Sequence, residues 1–343
     1  MKRQTSAFAS IFAIAIATSA QAQDRVLTVG GYGGSFETLM KELIIPEFEK
    51  AHDVRIAFVP GNSTENLARL QAQRSAQELD VVLLDDGPMY QADALGFCAP
   101  IDDLPVMADV YDLARLSENA VGIGFVATGF TYNKDWFARE GWDVPKSWQD
   151  LKDPKFDQIL SIPPISNTYG LHALVMLARL AGGGEGDIDP GFAEMAEEVG
   201  PAVLAFEPSS GKMSELFQSE EIAISVWGSG RTKSLADTGF PAGFVYPDDG
   251  AVALLLAGCP VVDSDVPEES QAFIEYLLDP EIQVLIADAM GAGPVNSKSE
   301  LPPELAETLP YGDRIETLVT LDWDTINANR TEWTTRWARE VER

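Results

Sequence analysis

The sequence predicts an α/β protein of two doubly wound lobes joined by two crossover strands, and three observations predict it. Strand and helix patterns alternate from Arg25 to Pro88, and the same alternation restarts between Ile159 and Tyr246. Two long apolar runs, Val121 to Tyr132 and Ala251 to Ala257, stand where a chain would pass from one lobe to the other and back. At 343 residues the chain is long enough for two cores.

The first 22 residues stand outside that fold. Lys2 and Arg3 precede an uncharged stretch from Ala7 to Ala20 that is apolar from Ile11 to Ala17 and closes on Ala20-Gln21-Ala22, the small-x-small pattern of secretory cleavage. The apolar part is too short to span a bilayer comfortably, so residues 1–22 read as a signal peptide. An exported protein follows.

In the first lobe, the apolar run RVLTV predicts a strand from Arg25 to Val29. Gly30, Gly31, Tyr32, Gly33 and Gly34 then form a loop suited to positive φ, and Ser35 opens a helix with apolar Leu39, Leu43, Ile44 and Phe48 on one face. A loop of this kind aims peptide N–H groups at a small solute, or simply lets a strand and helix pack tightly. It lacks the third glycine of the dinucleotide fingerprint and the lysine of a P-loop. Asp53 to Val59 reads as the next strand, and Asn62 with Glu65 is a capping box for a helix running to about Gln77. Val81-Val82-Leu83-Leu84 is a buried parallel strand delivering Asp85-Asp86-Gly87-Pro88 at its carboxyl end. Ligands of doubly wound sheets sit beyond those ends, so Gly33, Ser35, Asp85 and Asp86 converge on one rim.

After the first crossing, Trp136, Trp142 and Trp148 read as lobe scaffold. Ile159 to Pro163 is a strand, and Ser166-Asn167-Thr168 caps a helix carrying Leu171, Leu174, Val175, Leu177 and Ala178. The strand Val203 to Phe206 and a helix opened by Ser209 or Ser210 lead to the strand Ile222 to Trp227, which feeds Gly228-Ser229-Gly230-Arg231 at a further helix start. Gly243 to Tyr246 ends at Pro247-Asp248-Asp249-Gly250. The predicted division is 23–127 with 252–343 in one lobe and 128–251 in the other. It places the helices Glu268 to Leu278 and Glu281 to Met290, and the C-terminal helix from Thr325 with Trp333 and Trp337, in the first lobe.

Charge and residue types exclude several chemistries. The formal charge is −30, and the loss of Lys2 and Arg3 leaves −32. Such a surface lacks the basic clusters that nucleic acid requires, and it attracts cationic solutes. Two histidines, His52 and His172, have no second His or Cys at ligand spacing, so a metal site or a Ser-His-Asp triad has almost no material. The carboxylate pairs Asp85-Asp86 and Asp248-Asp249 remain as acid–base or ligand groups, although Asp beside a glycine is also a turn residue. Trp227 either stacks on a solute or fills the core. Arg231 is placed to grip a carboxylate or to pair across a cleft. Cys98 and Cys259 either join in an oxidising compartment or stay as buried thiols.

The opening GGYGGSFETL with PEFEK, the strand end ELDVVLLDDG, KSWQDLKDPKF, SVWGSGR, YPDDGA, and AFIEYLLDPEIQ followed by GAGPVN together resemble the periplasmic solute-binding proteins of ABC importers, of the type II, two-crossover kind. The resemblance covers essentially the whole chain after the leader, and within the family it is similar to the spermidine/putrescine-binding branch. It implies a monomeric periplasmic receptor, not an enzyme, that needs no cofactor and passes a small solute to an inner-membrane permease. Carried over by position, the solute contacts fall on Tyr32, Ser35, Asp85, Asp86, Asn167, Thr168, Tyr169, Trp227, Ser229, Arg231 and Asp249. Polyamine binders of that branch follow the acidic-glycine turn with a tryptophan and an aspartate that box the amine; here Leu254 and Leu256 stand at about those places. Iron-binding relatives use adjacent tyrosines, and none of the eight tyrosines here adjoins another. The resemblance therefore implies an amine such as a polyamine. An amino-acid derivative, an opine-like zwitterion or an organic anion is the alternative, and an exported enzyme using carboxylates a remote one.

Overall fold

A computed structural model describes residues 25–342. The predicted signal peptide, residues 1–22, lies outside the described residues. In chain order the strands are β1 (Val26–Gly31), β2 (Arg55–Pro60), β3 (Val81–Asp85), β4 (Val121–Asn133), β5 (Leu160–Ser161), β6 (Val203–Ala205), β7 (Ile224–Gly228), β8 (Ala242–Val245) and β9 (Val252–Pro260). They form one sheet in the order β2-β1-β3-β9-β4-β7-β5-β6, with β8 paired to β4. The outer pairs β1/β2, β1/β3, β5/β6 and β5/β7 are parallel, as strand–helix–strand connections require. The central pairs β3/β9, β9/β4 and β4/β7 are antiparallel.

Two α/β lobes thus share a single ladder through the two crossover strands. β4 pairs with β9 up to Thr128 opposite Val252, and Thr128 also pairs with Gly228 of β7, where the second lobe's pairing begins. Burial separates accordingly. Phe36, Phe48, Phe125 and Phe273 fill one core, while Phe130, Trp148, Phe156 and Phe192 fill another. Both crossover strands are buried almost throughout, which explains their continuous apolar sequences.

Six helices bear on the site: α1 (Ser63–Ala72), α2 (Asp86–Ala94), α3 (Thr168–Leu180), α4 (Ser229–Asp237), α5 (Pro280–Met290) and α6 (Trp323–Glu340). Asn62 caps α1 with the full reciprocal box predicted from Glu65. Asn167 caps α3 through the Tyr169 N–H.

Two expectations need correction. Helix α6 does not belong to the first lobe alone. Its Trp333 and Trp337 pack into the second lobe's core, with Trp337 edge-on to Phe206 at 5.4 Å, while Asn327 reaches back to Gln91 and to the Gly87 carbonyl of α2. An aromatic stripe goes where it loses most water, and the second lobe offered that surface. The glycine loop also differs, because Gly30 and Gly31 lie inside β1. Side chains there would meet Leu79 and Phe58 at 2.9 Å, so those two glycines serve close packing; of the four, Gly34 alone takes a left-handed φ, 68°.

Cys98 and Cys259 form a disulfide with Cα atoms 5.6 Å apart, closing a sequence separation of 161 residues. A loop that long restricts the unfolded chain strongly. Replacing both cysteines by alanine should lower the unfolding free energy by roughly 2 to 5 kcal/mol, measured by urea denaturation under oxidising conditions; equal stability of the two proteins would count against this.

Candidate functional site

A cavity of about 860 Å³ lies between the lobes. The first lobe supplies Tyr32, Gly33, Gly34 and Ser35 beyond β1, Asn62, Ser63 and Thr64 at the start of α1, and Asp85 at the end of β3. The second supplies Asn167, Thr168 and Tyr169 at the start of α3, and Arg231 and Ser234 from α4. Val126, Leu254 and Leu256 of the crossover strands form an apolar part of the lining, and Trp323, Asn327, Arg330 and Thr334 of α6 complete it. The structure therefore brings Tyr32, Ser35, Asp85, Asn167, Thr168, Tyr169 and Arg231 to one place. Strand ends and helix starts from both lobes meet there, as the parallel topology dictates.

Four predicted contacts lie elsewhere. Asp86 is only 3% exposed. The helix α2 starts at this very residue, where sequence reading expects a loop, and that turns its carboxyl inward to accept from the Gly87 N–H at 2.9 Å and the Leu255 N–H at 3.3 Å. Trp227 is 2% exposed and stacks on Phe217 at 6.2 Å within a core of Met213, Leu216 and Leu235. Strand alternation points it away from the cavity that Arg231 faces. Ser229 is buried and accepts from the Ala127 N–H of β4 at 3.1 Å. Asp249 accepts from the Trp148 N–H at 3.0 Å, so this acidic turn fixes the scaffold tryptophan. His172 is a core residue too, with Nδ1 2.8 Å from the Thr128 hydroxyl.

Sequence reading missed the contribution of α6. Its polar residues Asn327, Arg330 and Thr334 fall at spacings of three and four, one face of a helix, and that periodicity was the available signal. Ser63 was also missed; it follows the recognised cap Asn62, and its hydroxyl accepts from the Asp85 N–H at 3.0 Å.

The charges divide by wall. Burial pushes the Asp85 carboxyl above its usual range, against the pull of the Tyr32 and Ser63 hydroxyls and of the Arg231 guanidinium. The Tyr32 hydroxyl is buried beside Asp85 and Ser63 without a hydrogen bond of normal geometry, and burial first, then the two aspartates, raises it well above 10. On the opposite wall Arg231 lies against the Tyr169 phenol, opposing the rise that burial imposes on that group. Behind the lining, burial and then the Asp85 charge push Asp86 up to about 8, although Leu255, Gly87 and Trp323 all donate towards it. His172 is held down to about 3 by burial and then by the Arg330 charge, and stays neutral. Among the described residues lining the cavity, Asp85 is the sole carboxylate and Arg231 and Arg330 are the cations.

Residues 44–310 match the family described as bacterial extracellular solute-binding protein, and the chain belongs to that family. Among solved structures it is similar to an ABC transporter from Clostridium perfringens, with 22% identity, a TM-score of 0.81 and coverage of 92% of this chain and 99% of the other. An ABC transporter substrate-binding protein from Bradyrhizobium japonicum is 20% identical with a TM-score of 0.76, covering 92% and 99%. The Atu4243 GABA receptor is 19% identical with a TM-score of 0.76, covering 92% and 97%. No curated protein matches the sequence. Among the described residues, no helix is long and apolar enough to cross a membrane.

Asp86 generates a pH prediction. Its folded pKa of about 8 lies above the unfolded value of roughly 3.9. Below that unfolded value both states are protonated; as pH rises towards 8 only the unfolded chain ionises, so the folded state loses stability across this interval. Asp86→Asn, which mimics the protonated carboxyl, should flatten the decline between about pH 5 and 8 in urea denaturation. An unchanged slope would mean that Asp86 is ionised in the fold.

Proposed function

We propose that this chain is the solute-capturing component of an ABC importer, working in the periplasm as a monomer, and that its solute is a small zwitterion with a carboxylate and an amine. Membership of the solute-binding family supports the role. The single observation that carries the solute class is the opposition of Asp85 on the first lobe to Arg231 with Tyr169 on the second. Arg231 grips a carboxylate through its planar fork, and Asp85 with the unpartnered Tyr32 hydroxyl receives an ammonium. Val126, Leu254 and Leu256 cover the carbon skeleton between them.

A polyamine, the solute implied by the spermidine/putrescine resemblance, suits this lining less. One carboxylate faces two guanidinium groups, and leucines stand where that branch has its amine box. The surrounding charge of −30 raises the local concentration of cations, but it does not hold them in a cleft with this lining. An amino-acid derivative or opine-like compound meets both charges. The GABA receptor among the structural neighbours is named for such a solute, with one amine and one carboxylate.

Capture follows from geometry. Asp85 and Arg231 reach one solute from opposite lobes only when the lobes are together, so solute shifts an open and closed equilibrium about the crossover strands and no bond is made or broken. Closed and loaded, the receptor is what a permease would receive.

A thermal-shift panel of α- and ω-amino acids, opines, organic acids, putrescine and spermidine tests this. Amine-bearing carboxylic acids should raise Tm, and Asp85→Asn and Arg231→Gln should each weaken their calorimetric affinity by about 30-fold or more. Stabilisation by spermidine or putrescine with no response to the acids would overturn the zwitterion reading.

A further inference from the structure

Arg330 has no role in the reading above, which uses one cation and one carboxylate. It sits in the middle of α6, half-buried, and lines the same cavity. Among the described residues its guanidinium makes one hydrogen bond, from Nη2 to the Ser166 carbonyl at 3.4 Å, and no ion pair. Burial alone lowers its pKa. A partly desolvated cation without a counter-ion is unfavourable, yet the chain carries more than twice as many acidic as basic side chains from which a partner could have come. Elsewhere on the same helix Arg336 is paired with both Asp189 and Glu340. His172, whose pKa the Arg330 charge helps to lower to about 3, stays neutral and supplies no counter-charge.

The ground around Arg330 is also favourable to an anion. The Ser166 carbonyl it touches immediately precedes Asn167, the cap of α3, whose thirteen residues direct a partial positive charge to that end. Thr168 lines the cavity from the first turn of α3, and Thr334, one turn beyond Arg330 on α6, lines it too while its hydroxyl donates to the Arg330 carbonyl at 2.8 Å. Asp85, the sole lining carboxylate, stands on the first lobe's wall beside Tyr32 and Ser63 and makes no ion pair with Arg330.

We propose that Arg330, with Ser166 and Thr168 at the start of α3 and Thr334 beside it, forms a second anion subsite, so that the solute carries two acidic groups around its amine. This rests on the zwitterion reading and narrows it. Arg231 takes one acidic group, Asp85 the amine, and Arg330 the other acidic group. Because Arg330 is carried by the C-terminal helix that ties α2 to the second lobe's core, the second group also fastens the solute to the element that bridges the lobes. The chemistry required at Arg330 is an anionic group with two or three oxygens, and a carboxylate or a phosphate monoester supplies it.

The test compares calorimetric affinities for four probes: 4-aminobutyrate with one acid, L-glutamate and an N-(1-carboxyethyl) amino acid with two, and O-phospho-L-serine with a phosphate. The wild-type protein should favour at least one two-acid probe over 4-aminobutyrate by about 30-fold or more, and Arg330→Gln should collapse that ratio towards one. A preference for O-phospho-L-serine supports the subsite and identifies phosphate as its group; a preference for the dicarboxylates identifies carboxylate. Should Arg330→Gln fold poorly by circular dichroism, Thr334→Glu, which sets a carboxylate beside the guanidinium from an exposed position, should collapse the ratio in its place. Equal loss of affinity for one-acid and two-acid probes in these variants, or no two-acid preference in the wild type, overturns the second subsite while leaving the first reading standing. Failure of every amine-bearing acid to bind, with Arg231→Gln and Asp85→Asn without effect, overturns the first reading instead.

Discussion

The antiparallel pairing of β4 with β9 is the constraint on which the rest of the molecule depends. Each lobe is held by parallel strands and its own core, and only this ladder joins their sheets into one. Thr128 belongs to both halves, opposite Val252 on one side and Gly228 on the other. A two-strand connection resists sliding along the strands while permitting rotation about them, which is what a clamp around a solute requires. Its security is reinforced from the flanks. Ser229 accepts from the Ala127 N–H and Asp86 from the Leu255 N–H, so polar groups beside the cavity fix the backbone of both crossing strands, and His172 holds the Thr128 side chain.

Electrostatics set the inside of the cleft apart from the outside. The chain is strongly acidic, yet the cavity gathers two arginines against one carboxylate. Desolvation is the reason this matters: a charge in a half-closed cavity is screened less than one on the surface, so the few groups that line it decide what enters. Asp86 shows the complementary case, a carboxyl buried so thoroughly that it holds its proton to about pH 8 and works as a hydrogen-bonding strut.

Helix α6 changes how the site is understood. It crosses from α2 to the core around Phe206, and it presents Trp323, Asn327, Arg330 and Thr334 to the cavity on its way. The packing that anchors it, two tryptophans in the second lobe's core, is the same packing that holds its polar face at the cavity.

Local sequence determined a good deal here. Alternating strand and helix patterns, the capping residues Asn62 and Asn167, and the two long apolar crossings follow from propensity and periodicity acting over a few residues, and they brought Tyr32, Ser35, Asp85, Asn167, Thr168, Tyr169 and Arg231 to the expected strand ends and helix starts. Which member of each polar cluster faces the cavity was not written there. Asp85 and Asp86 are neighbours of equal chemistry, and the onset of α2 sends one to the cavity and the other to the Leu255 N–H. Trp227 and Arg231 lie one helical turn apart in sequence distance, yet strand alternation buries the first against Phe217 while the second reaches the cleft. The union of Cys98 with Cys259 and the arrival of Arg330 from α6 were decided by tertiary structure alone, because both depend on surfaces far apart in the chain meeting where burial of apolar area is greatest.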